Sequence, residues 1–192
     1  NNFIDFCADK IRSDGQQLDG GGCITTPMGD TPDKNLIPSA KFMGPVNNDV
    51  IQSNQDFDIN NLDTGTFTNP DKTVNAAPQQ KNGEGQVIGH SHFVIENIDD
   101  NGPPDPLNFA FFKGVNGAAQ NGVLTETVDG GLPAGTYRLS SINAAANHQP
   151  VLAPIAQHGS IDDAVTFTVS DDAGGDDNGQ CSGSGDTAVW TS

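Results

Sequence analysis

Seven short segments of strand-like residues, each cut off by Gly, Pro, Asn or Asp, constrain this chain more than anything else in it. They are SAKFMG (39–44), QDFDINNL (55–62), QVIGHSHFVIEN (86–97), NFAFFKGV (108–115), GVLTETV (122–128), GTYRLSSI (135–142) and AVTFTV (164–169). In QDFDINNL, Phe57 and Ile59 alternate with Asp56, Asp58 and Asn60, the period of a half-buried strand. Helices of ordinary length cannot form between such frequent breakers. The spacing therefore predicts an all-β fold, an antiparallel immunoglobulin-like β-sandwich. Tyr137 follows the turn at Pro133–Gly135, where such sandwiches often carry a tyrosine bonded to upstream backbone. An ordinary amphipathic strand tyrosine reads equally well.

The segments flanking this region differ from it. In FIDFCADKI (3–11), Ile4, Cys7 and Ile11 fall on one helical face, so a short N-terminal helix is expected. Residues 13–35 are turn-rich, with Gly20–Gly22, Pro27 and Pro32. The final DDAGGDDNGQCSGSGDTAVWTS is acidic and poorly hydrophobic, and reads as a flexible tail. The expected organisation is a helix and disulfide loop over 1–36 packed on the core, a sandwich over 37–170, and a tail over 171–192. The whole chain of 192 residues fits a single domain.

There are three cysteines, so one is always left over. Cys7 and Cys23 are close in sequence, and their pairing would stabilise by about 3 kcal/mol through loop closure. Cys181 is then the odd one; the alternative is that it pins the tail to one of the others. With 8 basic and 25 acidic residues the net charge is −17. Such a surface repels phosphate backbones and anionic lipid, which excludes nucleic acid as a partner. No apolar run is long enough to span a membrane. Charge and cysteines together point to a secreted protein, extracellular or associated with a cell wall, and a monomer.

Two of the four histidines stand in GHSHFVI (89–95). Residues i and i+2 of a strand share a face, so His90 and His92 project together beside Ile88 and Val94, while Ser91, Phe93 and Ile95 point to the core. Two imidazoles one pleat apart can share a cation. His148 lies in Asn147-His148-Gln149-Pro150, a loop fixed by its proline, and is the expected third ligand. His158 is a fourth ligand or a neighbour. A liganding imidazole usually donates its other N–H to a carbonyl or carboxylate, and Asn147, Gln149 and Asp162 are suitable types. An all-imidazole set suits zinc, with copper as the alternative. Two histidines on the wet side of a strand would need no metal at all.

Other chemistries are weaker. Ser91 lacks the strained turn of a nucleophile elbow. Gly20–Gly22 opens no helix and holds no phosphate. The acidic run at 171–179 lacks the distal glutamate of an EF-hand loop. Glu96 shares the histidine face about 13 Å along the strand, at 3.3 Å per residue, and could line a groove. The phenylalanines, FAFF (109–112) among them, read as core, which argues against a sugar-stacking platform.

The motifs NNFIDFC at the start, the run from APQQ (77–80) to GHSH, NFAFFKGV, GGLPAGTYR and NHQPVLAPIAQHG together resemble a group of small secreted fungal proteins without a settled activity. The similarity covers most of residues 1–169. A small-subunit ribosomal label attached to some of that group is incompatible with this charge. The resemblance implies a second cysteine pair at the positions of Ser140 and Ala164, which this chain lacks. GHSH and LPAG are also similar, more distantly, to bacterial periplasmic sandwich domains with an H-x-H strand. The expected function is a secreted fungal protein with a histidine-based metal site, a metal-dependent hydrolase or lyase acting on an extracellular polysaccharide or peptide. The alternative is a non-enzymatic wall or surface protein.

Overall fold

The structure is a computed structural model that describes residues 3–13, 16–25, 28–45, 54–72, 77–99, 102–169 and 190–191. Cys181 and most of the acidic tail lie outside them. The strands are β1 (Cys23–Ile24), β2 (Gly29–Asp30), β3 (Ser39–Phe42), β4 (Asn54–Asn60), β5 (Leu62–Asp63), β6 (Val87–Asn97), β7 (Phe111–Val115), β8 (Val123–Thr127), β9 (Gly135–Ala145), β10 (Ala164–Val169) and β11 (Trp190–Thr191). They form a two-stranded sheet β1-β2, a three-stranded sheet β3-β4-β8, and a six-stranded sheet β11-β10-β9-β6-β5 with β7 also paired to β6. Among the named strand pairs only β5–β6 is parallel. The chain is thus all-β, built from several antiparallel sheets.

One apolar core serves both larger sheets. Phe42 and Phe57 of the three-stranded sheet meet Phe93 of β6, with ring centroids 4.7 to 5.3 Å apart. Ile95, Leu139, Val165 and Phe167 join from the six-stranded sheet, and Leu124 from β8. Each side chain of this size contributes roughly 1.5–3 kcal/mol when fully buried. Tyr137 is buried on the same side, and its hydroxyl donates to the Pro133 carbonyl at 2.9 Å.

The expected N-terminal helix over 3–11 does not form as such. Only one turn, Phe3–Phe6, is helical, and Ile11 is exposed rather than aligned with Cys7. The reason is a competing pairing. Cys7 is bonded to Cys23, the Cys23 amide donates to the Ile11 carbonyl, and the Ser13 amide donates to the Cys23 carbonyl. The chain leaves the helix to run beside β1.

Gln79 fastens this disulfide loop to the rest. Its side chain is fully buried; the amide nitrogen donates to the Asp30 and Leu152 carbonyls, and the amide oxygen accepts from the Leu152 N–H. Its backbone exchanges bonds with Met28 and Asp30. On β9 and β10, Ser140 and Ala164 are directly opposite each other, the two positions at which the resemblance implies a cysteine pair. Asp163 closes the other side: its carboxylate accepts the Phe42 N–H of β3.

Candidate metal centre

Strand β6 alternates as its sequence demands. Ser91, Phe93 and Ile95 face the core and are essentially inaccessible. His90 and His92 face the other side, on the outer surface of the six-stranded sheet. Gly89 sets how closely β9 approaches: a Cβ there would lie 2.0 Å from the Ala144 carbonyl oxygen. Because His90 is paired with Ala144, the chain leaving β9 emerges next to the two imidazoles.

That exit is a tight turn centred on His148, which has φ 66°. An L-residue other than Gly adopts this left-handed conformation only when its surroundings impose it. Here Asn147 does so. Its side-chain oxygen accepts from the Gln149 N–H, and its amide donates to the Ala77 carbonyl at 2.6 Å and to Gln149 Oε1 at 2.8 Å. Gln149 in turn donates to the Met28 carbonyl. The turn swings the His148 ring over β6.

His90, His92 and His148 offer ligand nitrogens that all lie within 4.8 Å of one another. His148 Nε2 is 2.8 Å from the Thr68 carbonyl oxygen. A carbonyl only accepts, so Nε2 carries the proton and donates, which leaves Nδ1 of the neutral ring as a lone pair. Nδ1 points at His90 Nε2, 3.0 Å away. Bonds of about 2.0–2.1 Å to a tetrahedral ion put ligand atoms roughly 3.3 Å apart. The His90–His148 pair is therefore close to liganding spacing, and the Thr68 carbonyl fixes the tautomer that ligation by His148 needs.

The electrostatics agree. His90 is fully buried. Burial, then the neighbouring His92 and His148, push its pKa down to about 4, against a small opposing effect of the Thr66 backbone. Burial and His148 lower that of His92 as well. Both rings are held neutral, with lone pairs to give. His90 Nδ1 and His92 Nδ1 are buried without a protein hydrogen-bond partner, as is Thr68 Oγ1.

Other expected participants stand elsewhere. His158 is exposed, with Nδ1 against the carbonyl of Gly159, and is not part of the cluster. Asp162 accepts from the Asn143 N–H and the Ser141 hydroxyl, so it locks a loop onto β9. Glu96 pairs with Arg138 at 2.7 Å. The role expected of Asn147, Gln149 or Asp162, orienting an imidazole, falls to the Thr68 backbone, for which a side-chain pattern gives no signal. The rings around the cluster are also unforeseen. Phe67 packs on His90 at 5.8 Å and Phe112 on His92 at 5.2 Å, and both remain part-exposed.

A family model described as the CLU5d N-terminal domain matches residues 40–170, which includes all three clustered histidines. Pathogenicity cluster 5 protein d of the fungus Colletotrichum graminicola is 42% identical over 177 residues. That match covers 88% of this chain but 37% of the relative, so the chain spans well under half of that protein's length. No solved structure matches the chain.

Proposed function

We propose that this chain, which belongs to the CLU5d N-terminal domain family, holds one divalent transition-metal ion on His90, His92 and His148. The carrying observation is the convergence of three imidazole nitrogens within 4.8 Å of one another, with two of the rings held neutral by burial. Zinc is the first choice for such a set and copper the second. Three protein ligands leave a fourth position for water, the arrangement of metal-assisted hydrolysis or elimination. An extracellular polymer is the matching substrate class. One observation favours the plainer use, metal capture by a wall or surface protein: among the described residues no carboxylate joins the cluster to act as base.

We place the protein outside the fungal cell, on the strength of its disulfide and acidic charge. The relative's naming for pathogenicity is compatible with that. We read the two larger sheets and their shared core as an immunoglobulin-like sandwich over 37–170, close to the range of the family match. Residues 1–36 form a disulfide-bonded flap on it, 171–192 a tail, and the protein is a monomer.

Metal analysis tests the central claim. Chelator-treated protein is incubated separately with zinc and with copper, desalted and assayed. One ion per chain is expected, and none in His92→Ala. Absence of retained metal in the unmodified chain overturns the proposal. Metal retained by His92→Ala moves the site off β6.

A further inference from the structure

An aromatic row leads away from the histidine cluster to Phe109, at the wall of a separate cavity. Phe112 packs on His92, with its ring tilted 35° to the imidazole. Phe109 packs on Phe112 with centroids 5.4 Å apart. Both rings are 46% exposed, which their place in an apolar FAFF run did not lead one to expect. Phe109 also lines a cavity of about 580 Å³, together with Asn97, Asp105, Asn108, Pro133 and Tyr137. On the other side of the cluster Phe67 continues the row at His90. Asn97 and His92 are roughly 16 Å apart along β6 at 3.3 Å per residue and, five residues apart, face opposite sides of the sheet.

We infer that the cavity at Asn108 and Phe109 binds a neutral polysaccharide chain, with the exposed Phe112 ring extending its aromatic wall. Three features select that ligand. Sugar rings present C–H faces that pack on part-exposed aromatic rings, and hydroxyl edges that need amide and carboxylate partners. This cavity sets Asp105 and Asn108 beside the Phe109 ring, both kinds of surface side by side. A net charge of −17 repels uronic-acid polymers and leaves neutral chains. A bound peptide would draw on main-chain pairing at a strand edge, whereas these walls are chiefly the loops at 102–110 and 131–133. The inference goes beyond the proposed metal site, and binding in the cavity does not depend on the metal.

The test uses the full chain, metal-free and zinc-treated, with six-unit β-linked oligomers of glucose, xylose and N-acetylglucosamine, and the galacturonic acid hexamer as the anionic comparator. Calorimetric titration is expected to show binding of at least one neutral oligomer in both metal states, and none of the galacturonate. Phe109→Ala and Phe112→Ala are each expected to weaken it by about tenfold, the range for loss of one stacking contact. The zinc content of Phe109→Ala is expected to stay unchanged. Asn108→Asp, a surface change, serves if either alanine variant loses its melting transition; it should weaken binding too. Failure of every neutral oligomer in both metal states overturns the inference, as does wild-type affinity in these variants or preference for the galacturonate. Neutral-oligomer binding by a protein that takes up no zinc leaves the cavity standing and refutes the metal site alone.

Discussion

Gln79 and His90 are both fully buried polar side chains, and they are opposite cases. Gln79 has a partner for its amide nitrogen and its amide oxygen, drawn from strand β2 and from the loop at Leu152. His90 has one well-formed hydrogen bond, to another imidazole, while its Nδ1 makes none. A buried polar group with its full complement of bonds holds a fold together; one without it carries a desolvation cost of about 1–3 kcal/mol that serves something else. Unpaired atoms occur elsewhere, at the hydroxyls of Ser13 and Ser91 and the amide oxygen of Asn143, but none of these is a ring nitrogen. Around His90 they gather: two ring nitrogens, and the hydroxyl of the very threonine whose carbonyl orients His148.

The contrast is open to attack at several points. Gln79→Ala strands the Asp30 and Leu152 groups and opens a cavity, so a loss of about 4 kcal/mol is expected in the urea-unfolding free energy. A loss under about 1 kcal/mol would make Gln79 dispensable and void the comparison. The histidines behave differently, and pH reveals it. In the metal-free protein the folded pKa of His90 is about 4 and that of His92 is also lowered, against about 6.5 in the unfolded chain. The unfolded state then binds more protons between those values. Stability is full above about pH 6.5 and falls as the pH drops toward 4, by on the order of 3 kcal/mol for His90 alone. Unfolding curves at pH 7.5 and 4.5 check this; a flat profile means that the rings are not held neutral.

His92→Ala should reduce zinc affinity at least about hundredfold, roughly 2.7 kcal/mol, by loss of one of three ligands. The same change should alter metal-free stability at pH 7.5 by less than about 1 kcal/mol, because it also removes an unpaired buried nitrogen. Competition with a chromophoric chelator gives the first number and urea unfolding the second. The smallest effect belongs to another satisfied group. Tyr137→Phe deletes the bond to Pro133 and should cost about 1 kcal/mol, with zinc binding unaffected.

Much of this was legible in the sequence, because alternation is a local property. All seven expected segments contain a strand, and Cys7 does pair with Cys23. The misses are tertiary. Strand β9 runs past Ile142 to Ala145 because Asn143, Ala144 and Ala145 pair with Ser91, His90 and Gly89; the run NAAA has no strand signal of its own. NFAFF starts its strand only at Phe111, since the Asn108 amide is taken by a turn to Asp105. The proline after it favours His148 over His158 as third ligand in the sequence, and the structure groups His148 with His90 and His92. What separates them is register: the loop that begins at Ala146 must emerge beside His90, and His158 lies ten residues further on. The exposure of Phe109 and Phe112 likewise depends on what covers β7, which no pattern within FAFF reports.

The left-handed backbone at His148 has a practical consequence for anyone who wishes to empty this site. Alanine there would remove the imidazole and strain the turn at once, confounding the two losses. Glycine accepts φ 66° without strain, so His148→Gly leaves the backbone path intact and a ring-shaped vacancy beside Thr68. Free imidazole added to that variant can occupy the vacancy as an exogenous ligand, and small azoles of graded basicity can then tune the centre from solution.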